Sequence, residues 1–319
     1  MQQKLTIAMS ESDRTHRLLS GRETLGAWTL EPQAASIEEI FVKQISGAVY
    51  DVSELSLASY LIALGRGEQR LTAIPVFLSR SFRHNAIYVR SDSPWTHPSE
   101  LKGVSFGFPE YQMTAAVWVR GMFRHEWGIG LGEMDWVTYR EERVPIATPA
   151  RRGAGEDIFD ALASGEVDAI MTARRPPARY FPASGEGGTL RRLIPEVWEA
   201  ERDYYRRTGI FPIMHLVSVK AETAERHPEL PKQLYELMLQ RKDEGIAQAL
   251  ETIKNPTSVP WLLEAAERSA QLMQDDMWPY GLQANWPQIE LFMSYLQEDG
   301  LLDRKLAAED IFHASVLHT

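Results

Sequence analysis

The sequence predicts an α/β protein built from two units of alternating strands and helices. Short apolar runs alternate with helical patterns through most of the chain, which is typical of strands that pair in a largely parallel sheet. A segment rich in Ser and Pro at 91–103 interrupts the alternation, which then starts again. From about residue 221 the pattern is almost entirely helical.

The first unit begins with a predicted strand at 4–9. A helix follows over 35–47, where apolar residues recur at helical spacing and Gly47 provides a stop. The next predicted elements, in order, are a strand at 49–55, a helix at 57–67 and strands at 72–78 and 85–90.

The second unit repeats this pattern after the interruption. Its predicted elements are a strand at 104–108, a helix at 113–128, a strand at 134–139, a helix at 158–168, a strand at 169–173, a helix at 196–209 and a strand at 211–219. Three helices, at 221–251, 258–277 and 286–299, complete the chain.

Two strands, near 85–92 and 211–219, are placed to cross between two lobes. We therefore expect a first lobe of residues 1–92 and 214–319, which includes the C-terminal helices, and a second lobe of residues 93–213. A ligand cleft is expected between the lobes, where small-molecule sites commonly lie.

The composition excludes several classes of protein and site. Thirty-four basic and 44 acidic residues give a net charge of −10, which argues against nucleic-acid binding but leaves room for a small anion held by a few arginines. No cysteine is present, so disulfides, thiolate metal sites and a cysteine nucleophile are excluded. No apolar run reaches the roughly 18 residues of a membrane span.

The first residues lack the basic start, apolar core and cleavage site of a secretory signal. We therefore expect a cytoplasmic protein, with a mature exported chain as the alternative. The eight histidines are scattered and show no HxH or HExxH spacing, so we expect no metal site made by protein ligands alone.

Cationic side chains cluster at two predicted strand ends. Arg14 follows the first strand, and Arg80, Arg83 and His84 lie together between two strands. Arginine binds a carboxylate through two parallel hydrogen bonds, so these residues are candidates for an anion pocket. The alternative is structural: Arg14 can pair with Asp13, and one of the others can hold a carboxylate nearby, such as that of Glu54.

Histidine is the side chain best suited to proton transfer near neutral pH, and His84 is the first candidate among its cationic neighbours. His215 is the second candidate, although a histidine in an apolar strand is more often a core residue. Glu54 and Ser56 follow the second strand of the first unit. Glu54 can accept a hydrogen bond from a substrate hydroxyl or orient Arg14 or His84.

A further group lies between the strand at 104–108 and the following helix. It contains Glu110, Tyr111, Gln112 and Thr114. The first amides of a helix can bind a carboxylate, so the last three are candidates for substrate binding, with a simple helix cap as the alternative. Glu110 is the carboxyl group expected to act on the substrate.

Six segments together resemble the 4,5-dihydroxyphthalate decarboxylase family. They are DRT at 13–15, VSELSLASYLIA at 52–63, AIPVFLSRSFRHNAIYV at 73–89, LKGVSFGFPEYQMTAAVWVRG at 101–121, DYYRRTGIFPIMH at 203–215 and WPYGLQANW at 278–286. The resemblance runs almost end to end and is loosest at about 140–190, a region that helps to define the substrate.

The resemblance implies a two-lobed fold of the type II periplasmic-binding-protein kind and a carboxy-lyase that acts on 4,5-dihydroxyphthalate or a close analogue. In such a substrate each carboxylate lies para to a hydroxyl. The ring carbon can therefore be protonated while the phenol supplies electrons, and no organic cofactor is required. The residues implied are His84, His215 and Glu110 for catalysis and Arg14, Glu54, Ser56, Arg80, Arg83, Tyr111, Gln112 and Thr114 for substrate binding.

Two questions stay open at this point. A divalent ion could be held partly by the hydroxyls of the substrate, and the same fold could serve a non-enzymatic binding protein that carries an aromatic carboxylate to a transporter. The expected partner is a small aromatic dicarboxylate, with neither nucleic acid nor membrane, and a homo-oligomer would be ordinary for an enzyme of this size.

Overall fold

The computed structural model describes residues 3–184, 187–251, 258–274 and 276–319. The chain separates into two compact units. The first contains the residues up to Ser79, Ile213–Ile289 and Leu306–Thr319, and the second contains Arg80–Pro212 and Glu290–Lys305.

The strands are β1 Gln3–Ala8, β2 Thr24–Leu25, β3 Trp28–Pro32, β4 Val52–Ser56, β5 Leu71–Arg80, β6 Ile87–Arg90, β7 Ser105–Phe108, β8 Asp135–Thr138, β9 Arg151–Arg152, β10 Ala169–Met171, β11 Leu190–Arg192 and β12 Ile213–Lys220. The α-helices are α1 Ile37–Gly47, α2 Leu57–Gly65, α3 Thr114–His125, α4 Ile158–Ser164, α5 Val197–Thr208, α6 Ala221–Arg226, α7 Leu230–Ala249, α8 Leu262–Met273, α9 Trp286–Glu298 and α10 Ala308–Ile311.

The first unit is built on a sheet with the strand order β2-β3-β1-β4-β12-β5. β1 is parallel to β3 and β4, whereas β12 is antiparallel to β4. The carboxyl ends of β1 and β4 therefore lie at the same edge as the first residues of β12, and ligand-binding groups of α/β sheets collect at such an edge.

The second unit has a sheet with the order β11-β6-β10-β7-β8-β9. β7, β8, β9 and β10 run parallel, and β6 is antiparallel to both β10 and β11. The loops that follow β7, β8 and β10 consequently start at one edge. Both sheets are mixed rather than largely parallel, because β12 runs antiparallel to β4 and β2 to β3 in the first sheet, and β6 runs antiparallel to β10 and β11 in the second.

The unit boundaries differ from the predicted lobes at two places. The strand predicted to cross at 85–92 is β6, which pairs within the second sheet, so the chain leaves the first unit already at Ser79 and returns at Ile213. Residues Glu290–Lys305, expected in the first lobe, belong to the second unit, where the rings of Phe292 and Tyr295 pack on Trp118 of α3. The predicted ligand cleft between lobes stays a prediction.

The ends of the helices in the first unit are set by local sequence features. Ser36 and Glu39 form a reciprocal capping box at the start of α1. α1 ends at Gly47, as predicted, and the residue in the left-handed conformation that follows it is Ala48, with φ of 45°. The predicted helix 221–251 is broken into α6 and α7, because His227 precedes Pro228 and has non-helical angles.

Other predicted elements differ in length or were missed. The predicted helix 258–277 is shorter, Leu262–Met273, and residue 275 lies outside the described residues. The strands β2, β3, β9 and β11 had no sequence prediction, since three of them have only two or three residues in register with a neighbour.

The second unit is held together by close packing of α3. Gly121 allows this packing, since an added Cβ would clash with the Tyr295 ring. Arg120 forms a fully buried salt bridge with Asp299, Nη2 to Oδ2 at 2.6 Å, and Arg124 binds the other carboxylate oxygen at 2.7 Å. A buried charge pair of this kind requires both partners, so the register of α3 is fixed. None of the helices in the described ranges is both long and apolar enough to cross a membrane.

Candidate active site

The first unit brings four of the predicted site residues to the carboxyl edge of its sheet. Arg14 lies in the loop after β1, Glu54 is in the middle of β4, Ser56 ends that strand, and His215 is near the start of β12. The register places His215 opposite Ser56 and Val217 opposite Glu54. Glu54 and His215 are therefore diagonal neighbours on adjacent strands, within reach of each other's side chains.

The Glu54 carboxylate and the His215 imidazole form a buried pair. Glu54 is 2% exposed, and its Oε1 lies 2.6 Å from Nδ1 of His215. Its Oε2 accepts a hydrogen bond from the backbone amide of Ser10 at 2.8 Å. Burial alone would raise the pKa of Glu54, but the hydrogen bond and charge of His215 and the Ser10 amide outweigh burial and lower the pKa.

This geometry fixes which nitrogen of His215 carries the proton. An ionised carboxylate can only accept a hydrogen bond, so Nδ1 donates. In the neutral imidazole Nε2 therefore has the free lone pair, and within the described part of the chain no hydrogen-bond partner contacts Nε2. The His215 side chain is 23% exposed, and its ring is held edge-on by Phe41 at a centroid distance of 4.8 Å. The pair can accept and return a proton.

Arg14 is held rigidly in the loop after β1. Its Nη1 binds Asp13 at 2.6 Å, and its Nη2 donates to the carbonyl of Leu78 at 3.2 Å. The guanidinium lies 4.0 Å from the ring centroid of Trp278, whose indole Nε1 donates to the carbonyl of Phe77 at 2.7 Å. The pairing with Asp13 supports the structural alternative for Arg14. The side chain is also only 14% exposed and has a buried Nε without a partner among the described residues, which supports a role in an anion pocket.

Ser56 has a local structural role. Its hydroxyl accepts hydrogen bonds from the backbone and side chain of Ser59 at 3.4 and 3.3 Å and caps the start of α2. It lies beside His215 in the sheet register, and its contact with substrate stays a prediction.

The second unit holds the three cationic candidates, with Arg80 as the last residue of β5 and Arg83 and His84 in the segment after it. Arg80 is 5% exposed and donates through Nη1 to the carbonyl of Phe211 at 2.9 Å. Arg83 is 8% exposed, and burial lowers its pKa to about 10, against the opposing charge of Glu201. Glu201 of α5, which was not among the predicted site residues, is therefore a charged neighbour of this segment.

His84 is a buried, neutral histidine. It is 5% exposed and packs beside the rings of Tyr204 and Trp127, with centroid distances of 5.2 and 6.1 Å. Burial, aided by the charge of Arg207, lowers its pKa to about 4. A group that is deprotonated at neutral pH cannot supply a proton there, so this environment argues against His84 as the proton donor.

The remaining candidates lie at the head of α3, where two loops meet. Glu110 is 3% exposed, its Oε1 accepts from Nη2 of Arg143 at 2.9 Å, and its Oε2 has no hydrogen-bond partner in the described residues. Burial raises the pKa of Glu110, and the charge of Glu142 adds to this increase, against the opposing charges of Arg143 and Arg140. Glu110 is therefore a carboxyl group suited to carry a proton.

The amides predicted to bind a substrate carboxylate already bind one from the chain. Glu142 accepts hydrogen bonds from the amides of Tyr111 and Gln112 at 2.7 and 3.0 Å. The Tyr111 ring is fully buried under the guanidinium of Arg120, 3.6 Å from the ring centroid, which favours packing. Gln112 is also fully buried and donates through Nε2 to the carbonyl of Val144 at 3.0 Å.

Thr114 begins α3 and is 3% exposed. The described residues contain no group of three or more side chains arranged to hold a metal ion. Glu142 and Arg143 were not among the predicted site residues, although the polar run at 140–143 begins two residues after the end of β8 and could have marked the edge of a parallel sheet.

No protein-family model matches the chain. The chain is 31% identical to the 4,5-dihydroxyphthalate decarboxylase of Comamonas testosteroni over 99% of this chain and 98% of that protein. It is 36% identical to the enzyme of the same name from Pseudomonas putida, over 54% of this chain and 71% of that protein.

Solved structures with this fold include periplasmic sulfonate-binding proteins. The Escherichia coli aliphatic sulphonate-binding protein SsuA aligns with a TM-score of 0.53 at 15% identity, over 97% of this chain and 92% of that chain. The SsuA protein of Methylobacillus flagellatus aligns with a TM-score of 0.56 at 14% identity, over 99% and 93% of the two chains. At this identity the likeness shows the fold alone, which is periplasmic-binding-protein-like.

Proposed function

The chain belongs to the 4,5-dihydroxyphthalate decarboxylase family, and we propose that it decarboxylates 4,5-dihydroxyphthalate, or a close hydroxylated aromatic acid, to protocatechuate and CO2. The structural observation that carries the proposal is the Glu54–His215 pair, in which a buried carboxylate orients an imidazole with one free nitrogen. A carboxylate–imidazole pair of this type activates the hydroxyl group that it contacts.

The reaction that we propose begins at the phenol. Direct loss of CO2 would leave an aryl anion, which is too unstable. His215 instead takes the proton of the hydroxyl para to the leaving carboxylate through Nε2, and the electron pair moves into the ring. The ring carbon that bears the carboxylate accepts a proton, which gives a cyclohexadienone. CO2 then leaves, the ring becomes aromatic again, and the protonated His215 returns its proton to the phenolate oxygen. The net change is the replacement of CO2 by one proton.

Glu110 is our candidate for the proton that goes to the ring carbon. Its burial and raised pKa favour the neutral acid, and its Oε2 is not used by another described residue. General acid and base groups each accelerate such steps by roughly 10²–10⁴-fold. Arg14, stacked on Trp278, is our candidate for the carboxylate that stays on the ring, and Arg80 and Arg83 remain candidates for the same role.

The experiment is a product assay with the purified protein. Incubation with 4,5-dihydroxyphthalate in D2O should release CO2 and give protocatechuate with one deuterium at the vacated ring position. Phthalate, which lacks the hydroxyls, should bind without reacting. His215→Asn should lower kcat by about 10²–10⁴-fold, while His318→Asn, a change at an exposed histidine, should not. Tight binding without CO2 release from any hydroxylated benzoate would instead favour a binding protein.

We also propose that the protein acts in the cytoplasm, in the degradation of phthalate and related aromatic acids. Cell fractionation with an antibody to the chain tests the location. A strain that lacks the gene should fail to grow on phthalate and should accumulate a dihydroxylated diacid, and this growth assay tests the metabolic role.

A further inference from the structure

Two loops dock onto each other at the carboxyl edge of the second sheet. Residues 110–112 follow β7, and residues 142–144 follow β8. Arg143 binds Glu110, Glu142 binds the two amides after Glu110, and the side chain of Gln112 binds the carbonyl of Val144. Each residue of one short segment therefore has a partner in the other.

Glu142 makes the contact that fixes the backbone of this pair. Its Oε1 accepts from the Tyr111 amide at 2.7 Å and its Oε2 from the Gln112 amide at 3.0 Å. The helix that follows begins at Thr114, and its N-cap residue Met113 provides no side-chain hydrogen bond. Backbone amides in such a turn need partners, and a carboxylate that accepts from two successive amides restricts the turn more than one hydrogen bond would.

We propose that Glu142 is a positioning residue for Glu110: by clamping the two amides that follow Glu110, it holds the Glu110 carboxyl group in place for proton delivery and keeps a negative charge beside it. The inference rests on the proposed function, because it takes Glu110 as the proton donor. It adds a residue that touches neither the substrate nor the reacting atoms.

The charges around Glu110 indicate how the effect can be measured. Arg143 and Arg140 face Glu110 with positive charge, and Glu142 faces it with negative charge. A like charge disfavours ionisation of a buried carboxyl group, so Glu142 offsets part of the effect of the two arginines. If Glu110 must be protonated to act, activity falls as the pH rises through the pKa of Glu110. The basic limb of the pH profile then reports the charge of Glu142.

The test compares two changes at Glu142. Glu142→Gln removes the charge and keeps the shape, and it should move the basic limb of kcat to lower pH by about one unit, the scale of environmental pKa shifts in folded proteins. Glu142→Asp keeps the charge but draws the carboxylate back from the amides, and it should lower kcat while the limb stays in place. Glu141→Gln, the same charge removal at the exposed neighbouring residue, should change neither.

A role limited to stability would lower the melting temperature without moving the limb, and that result would overturn the inference. If Glu142→Gln does not fold, an unchanged kcat in Glu142→Asp would overturn it as well. The pKa of Glu110, measured by ¹³C NMR of the carboxyl group, should fall in Glu142→Gln even if the protein proves not to be a decarboxylase. If the wild-type protein releases no CO2 but the pKa of Glu110 still falls in Glu142→Gln, the proposed function is rejected and the effect of Glu142 on Glu110 is not.

Discussion

Nδ1 of His215 lies 2.6 Å from Oε1 of Glu54, although the two residues are 161 positions apart in the sequence. The antiparallel pairing of β12 with β4 brings them together. Because the Ser10 amide holds the second carboxylate oxygen, Glu54 has little freedom to turn away. The imidazole is thus fixed in one orientation, with Nε2 on the side away from the carboxylate.

This pairing predicts that Glu54 acts through His215. In Glu54→Gln the amide can turn its NH2 group towards Nδ1 of His215. Nδ1 must then accept a hydrogen bond, so in those molecules the proton of the neutral imidazole moves to Nε2 and the free lone pair at Nε2 is lost. We expect kcat to fall by about 10²-fold or more, with a smaller change in KM, by analogy with other carboxylate–histidine pairs. Steady-state kinetics of CO2 release measure both constants.

The control for this prediction is Glu38→Gln, in the first turn of α1.

The Glu54–His215 pair should also affect how the stability of the protein depends on pH. The pKa of Glu54 is lowered in the folded chain, so its contribution to stability is present above the unfolded pKa near 4.5 and is lost as the pH falls through the lower folded value. Glu54→Gln should show a weaker loss of stability in that acid window. A variant with unchanged kcat would show that the pair is structural.

His84 provides a contrasting case. Because its pKa is lowered to about 4, the unfolded chain binds more protons than the folded chain between about pH 4 and 6.5, and stability must fall as the pH decreases through that window. Full charging would cost roughly 3 kcal/mol, at 1.36 kcal/mol per pKa unit. NMR titration of the imidazole should give a midpoint near 4.

His84→Gln should accordingly remove the loss of stability between pH 6.5 and 4 and leave kcat within a few-fold of the wild type. Thermal unfolding at several pH values and steady-state kinetics measure the two effects. His97→Gln, at an exposed histidine, is the matched change. A loss of kcat as large as that of His215→Asn would return His84 to the role of proton donor.

Arg14 is expected to determine substrate affinity. Its guanidinium is stacked on Trp278 and tied to Leu78 and Asp13, so little conformational freedom is lost when it binds a carboxylate. Arg14→Lys keeps the charge but loses the planar, forked donor set. We expect KM to rise by about 10-fold or more, with a smaller effect on kcat.

Trp278→Leu should have the same effect on KM in weaker form, because Arg14 would lose the ring on which it is stacked. Arg22→Ala, at an exposed arginine of the same unit, is the control. Equal KM values for Arg14→Lys and the wild type would mean that the pairing of Arg14 with Asp13 is its whole function.

How much of this could be predicted from the sequence depends on how local each feature is. The α/β class and most helices follow from periodicity, and the capping box of Ser36 and Glu39 is a four-residue pattern. The pairing of β6 with β10 and β11 and the pairing of β12 with β4 join segments that are far apart in the sequence, so the antiparallel members of the two sheets could not be predicted from local patterns. Glu54 and His215 were both candidates, but their contact depends on strand register across much of the chain.

The residues that were missed share a physical reason. Glu142 acts by binding backbone amides, and Glu201 is distinguished by its burial. Neither property can be predicted from the residue type, because glutamate is usually exposed at the surface. Glu142 binds amides about 30 residues away in the sequence, and Glu201 lies on a helix whose polar pattern suggests exposure. The packing of α5 against the turn at His84–Ala86 partly shields Glu201 from water.

Glu201 leads to a prediction about stability. Burial raises its pKa to about 7, against the opposing Asn85 amide and the charges of Arg192 and Arg83. The folded chain therefore binds an extra proton between about pH 4.5 and 7, and the contribution of this carboxyl group to stability is full below pH 4.5 and is lost as the pH rises through 7. Glu201→Gln, which stays neutral, should melt at a higher temperature than the wild type at pH 8 and at a similar temperature at pH 4.5. Glu199→Gln, on the same helix with a side chain that is 63% exposed, should show no such difference. A Glu201→Gln variant that is less stable than the wild type at pH 8 would mean that the ionised carboxylate pairs favourably with the arginines.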